Sequence, residues 1–178
     1  MISQFAKVSV LVALGVGLAS CAVQKGPPAP AADYQATPVA VAAPANLKNV
    51  CFTETELSAF RVRQTQQSLA VGVLQCKAPD GSRLYDKQYQ AFITKFNPEL
   101  ASNATELKAI IARKRKNFDV VITEVANRTG NQPTGDAQFC SRQLRALEWA
   151  LTPGVTSLTQ VPSPYDFGQE MTIYPCPK

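Results

Sequence analysis

Histidine is absent from all 178 residues, and with it go the Ser-His triad, the Cys-His pair and the commonest metal ligand. No glycine-rich phosphate loop occurs, which excludes nucleotide chemistry of the P-loop kind. Charge is thin and only weakly one-sided: 18 Lys and Arg stand against 13 Asp and Glu, a formal +5. An excess that small does not mark a nucleic-acid binder, and anionic polymers of a cell envelope suit it better. What the chain does hold is an ordinary apolar fraction, 46%, enough for one core with appendages.

The first twenty residues differ from the rest. Lys7 is followed by an uncharged apolar stretch from Val8 to Leu18 and then by Ala19 and Ser20, the layout of a secretory signal. A spanning helix needs roughly 20 apolar residues and this run is little more than half as long, so removal is expected. Leu18-Ala19-Ser20-Cys21 resembles the bacterial lipobox. That resemblance implies transfer of a diacylglycerol to the Cys21 thiol, cleavage before Cys21, and a membrane partner held through the lipid. Several acyl chains on one residue anchor almost permanently, since each buried methylene adds about 0.8 kcal/mol. Ala22 in place of aspartate after the cysteine implies, by the same resemblance, the outer membrane, with the folded part outside the cytoplasm.

Residues 21 to 47 are Ala, Pro and Val with scattered polar groups, and Pro27, Pro28, Pro30, Pro38 and Pro44 oppose a helix. The segment is expected to be a disordered tether with nothing to pack. At about 3.1 Å per residue in a polyproline-like state it spans on the order of 80 Å. The same composition also suits dispensable chain with no spacing role.

Beyond Cys21 there are four cysteines, Cys51, Cys76, Cys140 and Cys176, an even number that reads as two disulfides in an exported chain. No two are close in sequence and no histidine completes a zinc site, so neither a metal nor a cofactor is expected. If residues 52 to 76 form one helix, its ends lie roughly 37 Å apart, far beyond the ~7 Å a disulfide tolerates. Cys51 with Cys76 is thereby disfavoured and two patterns remain. Cys76 with Cys140 and Cys51 with Cys176 is the favoured one, because the last helix then runs antiparallel to the first; Cys51 with Cys140 stays open.

From 48 to 178 the pattern predicts an all-α fold: a small bundle of four to five helices with an extended tail over 152 to 178. Thr53 and Glu56 fit a capping box, and Leu57, Phe60, Leu69, Val73 and Cys76 form a stripe over 53 to 77. Ala78-Pro79-Asp80-Gly81 is a turn. Tyr85, Tyr89, Phe92, Ile93 and Phe96 line a second helix expected to end at Asn97-Pro98. Ser102 is expected to cap a third helix that carries Leu107, Ile110 and Ile111 and joins a fourth, with Phe118, Val121, Ile122 and Val125, as one bent rod. After a loop from Asn131 to Gly135, Asp136 is expected to cap a last helix that Pro153-Gly154 stops. The Pro-, Ser- and Thr-rich tail has no period, so only Cys176 gives it a reason to lie on the domain.

The run from Gln67 to Cys76, with Tyr89, Phe92 and Phe96 and later Phe139-Cys140, resembles a group of small secreted helical proteins of alphaproteobacteria. The resemblance covers about 51 to 150 and implies the helical fold; the group has no established activity to carry over.

Without histidine, the enzyme class that remains is a carboxylate-only glycosidase acting on cell-wall glycan. Glu54, Glu56, Glu106, Glu124 and Glu148 are its helical candidates. A plainer reading accounts for three of them: Glu54 and Glu56 fall in a first turn, where the helix dipole favours anions, and Glu148 follows Arg145 at i+3. Ser68, Ser102 and Ser141 have no base beside them. Arg113-Lys114-Arg115-Lys116 is the one charge run, able to hold an anionic envelope polymer or merely to end a helix well. Trp149, Tyr165, Phe167 and Tyr174 are either a recognition surface or core cover. The expectation is a non-catalytic envelope lipoprotein whose domain is a binding or structural accessory, partnered by another envelope protein or an anionic polymer and not by nucleic acid.

Overall fold

Thr53 starts the first helix as its spacing predicts. Its hydroxyl accepts the Glu56 N–H at 3.2 Å while the Glu56 carboxylate accepts the Thr53 N–H at 2.9 Å, so two otherwise orphaned donors are satisfied reciprocally. The computed structural model describes residues 34–36, 50–165 and 174–176. Within them run α1 (Glu54–Gln75), α2 (Asp86–Arg113), α3 (Phe118–Gly135) and α4 (Phe139–Leu151), with two short strands, β1 (Cys51–Phe52) and β2 (Tyr174–Pro175). The expected signal segment 1–20, Cys21, the expected tether apart from 34–36, and Phe167 lie outside the described residues.

The fold is the all-α bundle, with α1 packed against each of the other three helices. One end of the core gathers Phe52, Leu57, Phe60, Leu107, Ile110, Val121 and Val125. The other gathers Leu69, Val73, Phe92, Phe96, Phe139, Leu147 and the tail residues Val155, Leu158 and Val161. Polar residues are buried on α1 between Phe60 and Leu69: Gln64, Thr65 and Ser68. Thr129 of α3 donates to Gln64 at 3.1 Å and Gln143 of α4 donates to Ser68 at 2.9 Å, which ties three helices in one polar layer.

Two disulfides staple the bundle. Cys76–Cys140 joins the end of α1 to α4 with Cα atoms 5.6 Å apart, and Cys51–Cys176 joins β1 to the residue after β2 with Cα atoms 4.7 Å apart. The strands pair in parallel, and the Cys176 N–H donates to Phe52 O at 2.8 Å.

Four expectations about the elements are corrected. Helix α2 does not end at Asn97-Pro98 but runs through Pro98 to Arg113. Phe92, Phe96, Leu100, Asn103, Leu107 and Ile110 are buried along one unbroken stripe, and Thr94, whose carbonyl loses its donor to the proline ring, is exposed to water. Ser102 therefore caps nothing; its hydroxyl donates to Glu99 O within the helix. The bent rod is absent too, because the chain breaks at Lys114–Asn117 and α3 starts afresh with Asn117 capping the Val120 N–H. The loop expected at 131 to 135 is the last turn of α3, with Pro133 inside the helix.

Asp136 lies two residues ahead of the residue that caps α4, Gln138, but its side chain still accepts the Gln138 N–H at 2.8 Å. The tail is more than a strand pinned by one cysteine. A 3-10 turn, Leu158–Gln160, interrupts it, and Val155, Leu158, Val161 and Tyr165 bury their side chains. The tether also departs from its expected emptiness: Tyr34 is only 2% exposed and belongs to the core.

Candidate functional site

The cation run is at the end of α2 and is divided by the fold. Arg113 and Lys114 both pair with Glu56, at 3.3 and 3.1 Å. Lys114 also donates to Cys51 O at 2.9 Å, and its Nζ lies 5.3 Å from the centroid of the Phe52 ring. Arg115 and Lys116 form no ion pair among the described residues. They close the helix by backbone bonds instead, Arg115 N–H to Ala112 O at 2.9 Å and Lys116 N–H to Ile111 O at 3.1 Å, the paired geometry of a Schellman end. Such an end needs a left-handed residue, ordinarily glycine, and here Arg115 occupies it at φ 55°.

The candidate glutamates separate in the same way. Burial alone would raise the Glu56 carboxyl, but the Thr53 N–H and the Lys114 and Arg113 cations outweigh it and hold the group below its ordinary 4.5. A carboxyl so held is a poor general acid. Glu54 pairs with Arg61 and Glu124 with Arg128. Glu148 is exposed on α4. Glu106 lines a hollow of about 230 Å³ shared with Ser102, Asn103 and Glu99.

Glu99, which the sequence does not advertise, has a structural task. Its carboxylate accepts the Leu158 N–H through both oxygens at 3.0 Å and the Ser157 hydroxyl at 2.9 Å, anchoring the 3-10 turn of the tail to α2. Asp136 does the equivalent for α4. Burial pushes its carboxyl up, yet the Gln138 N–H, the Tyr165 hydroxyl and Arg142 bring it below its ordinary 3.8.

A larger open groove of about 640 Å³ runs between the first turns of α1 and the tail. Glu54, Ser58 and Arg61 line one wall, and Val161, Pro162 and Ser163 the other. Gln35 of the tether closes part of its rim. There the tether is fixed by three bonds to successive carbonyls: Tyr34 OH to Pro162 O at 2.7 Å, Gln35 Nε2 to Ser163 O at 3.1 Å and Ala36 N–H to Pro164 O at 2.7 Å. Burial drives the Tyr34 phenol well above its usual value, against a smaller lowering by Arg145. One signal in the sequence points to this contact: Tyr34 is the lone aromatic between Cys21 and Val50.

Trp149 is half-buried against the core, and its indole N–H donates to Gln160 O at 2.9 Å, so it fastens the tail to α4. Among the described residues no group of three or more Cys, Asp or Glu is placed to hold a metal ion, and no helix is long and apolar enough to cross a membrane. No family model matches the chain, and neither a curated protein nor a solved structure matches it.

Proposed function

We propose that the protein is an envelope lipoprotein, anchored through Cys21 to the outer membrane, whose helical domain is a non-catalytic binding or structural module. The observation that carries the second half is the fate of its acidic groups. Glu56, Glu99 and Asp136 spend their oxygens on caps and tail anchors, and the two of them whose pKa is shifted, Glu56 and Asp136, are shifted down, away from a proton donor's range. Export is supported by two disulfides in a domain this size, which suit an oxidising compartment. The anchor rests on the lipobox resemblance at Leu18 to Cys21.

Mass spectrometry of the membrane-extracted protein tests the address: the expected mature product begins at Cys21 with acyl mass on it, and an intact Met1 or a bare Cys21 thiol rejects it. The module is tested by in-cell crosslinking from the domain surface, where capture of one stoichiometric envelope partner is the expected result. Turnover of purified cell-wall glycan that Glu106→Gln abolishes would instead establish the glycosidase.

A second reading has one observation in its favour. Arg115 holds a backbone conformation that glycine adopts at lower cost, and with Lys116 it stays outside the Glu56 pairs. A contact with an anionic envelope polymer would give that arginine a use. Retention on such a polymer that declines as salt rises, and falls further in Arg115→Gly, is what this reading expects.

A further inference from the structure

Tyr34 belongs to the core by burial but not by chain. Its hydroxyl donates to Pro162 O, and Gln35 and Ala36 after it donate to Ser163 O and Pro164 O, one stretch of the tail. Tyr34 lies in a 3-10 turn and Gln35 in a bend, so the arrangement is that of a short turned peptide held by a domain. Main-chain and side-chain donors run along a row of carbonyls, and one large side chain fills a pocket. The Tyr34 ring belongs to the same buried cluster as Phe139, Leu158, Val161 and Tyr165. Leu158, Val161 and Tyr165 of that cluster also line the groove that Gln35 rims.

We infer that residues 34–36 are an intramolecular ligand in a peptide-docking site, and that the site accepts another short turned segment with tyrosine in the Tyr34 pocket whenever the chain's own segment leaves. The resident occupant is Tyr34-Gln35-Ala36. A competitor needs a phenol that can reach the Pro162 carbonyl and a backbone N–H two residues on for Pro164 O. Cis occupancy holds the site closed because a short linker keeps the segment at an effective concentration of about a millimolar.

One consequence rests on the lipoprotein reading. With 34–36 docked, the stretch between Cys21 and the domain is residues 22 to 33, twelve in number, with a reach of roughly 37 Å at 3.1 Å per residue. With 34–36 released it is residues 22 to 49, twenty-eight in number, and the reach rises to about 87 Å. Docking a partner's tyrosine would thus more than double the distance the domain can stand from its anchor.

The test uses the full chain in detergent, as wild type and as Tyr34→Ala, with a fluorescent synthetic peptide of residues 30–39. Anisotropy is expected to show the peptide binding Tyr34→Ala at least about tenfold more tightly than wild type, whose site is filled in cis. A peptide with alanine in place of its tyrosine is expected not to bind. Three results overturn the inference: a folded Tyr34→Ala chain that ignores the peptide, equal binding to both chains, or loss of cooperative unfolding in Tyr34→Ala. The last makes Tyr34 an ordinary core residue that the domain cannot do without. A bare Cys21 thiol leaves this outcome untouched and removes only the change in reach.

Discussion

Glu56 combines three contacts in one carboxylate: the Thr53 N–H, Arg113 and Lys114. Glu56→Gln keeps an acceptor for the cap and deletes the charge, so at neutral pH it is expected to cost about 1 kcal/mol in denaturant unfolding. The group's pKa is lowered on folding, so its contribution is complete above the ordinary 4.5 and is lost as pH falls through the lowered folded value. Wild type and Glu56→Gln should therefore converge in stability as the pH falls below 4.5, and a gap that does not narrow on acidification rejects the assignment. Gly72 tests packing rather than charge. A Cβ there would come within 2.7 Å of Gln143 Cγ and 2.9 Å of its Cβ, and Gln143 is fully buried with its amide on Ser68. Gly72→Ala gains about 1 kcal/mol of helix propensity but strains the contact by about 1–3 kcal/mol. A lower thermal midpoint is expected.

Among the elements, α2 shows how a core overrules a local signal. Asn97-Pro98 reads as a boundary because proline removes a donor and crowds the residue before it. The repeat through Phe92, Phe96, Leu100, Asn103, Leu107 and Ile110, apolar but for Asn103, was present in the sequence all along, and its steps of three and four pass the proline without a break. Burying that stripe outweighs one lost hydrogen bond whose carbonyl faces water. The end of the same helix carries the opposite lesson. Arg115 occupies a left-handed position at φ 55°, so Arg115→Gly is expected to stabilise the domain by about 1 kcal/mol, read as a raised denaturation midpoint. An unchanged or lowered midpoint would mean that the arginine side chain contributes more than its backbone costs.

For the molecule as a whole, the two disulfides enclose 125 and 64 residues, and loop-closure entropy assigns them about 5 and about 4 kcal/mol. They differ in access: Cys51 is exposed while Cys76 is only 1% exposed. Mild reductant followed by alkylation and mass mapping is expected to label Cys51 and Cys176 first and Cys76 with Cys140 only as the domain unfolds. Simultaneous labelling of all four would contradict it. Opening the outer bridge releases β2, while Glu99, Asp136 and Trp149 still hold residues 157 to 165 on the helices.

Sequence alone determined the apolar helical faces, the capping box at Thr53, and an even set of four cysteines beyond Cys21, because each follows from spacing along the chain. It also bounded the chemistry, since a missing histidine is missing in any fold. Tertiary structure decided what depends on neighbours distant in sequence. Among these are the helix through Pro98, the division of residues 113 to 116 between Glu56 and solvent, and the use of Glu99 as an anchor for the tail. It alone placed Tyr34 in the core, because a single aromatic in a proline-rich stretch has no period to announce its pocket, and the carbonyls that receive it lie 128 residues away.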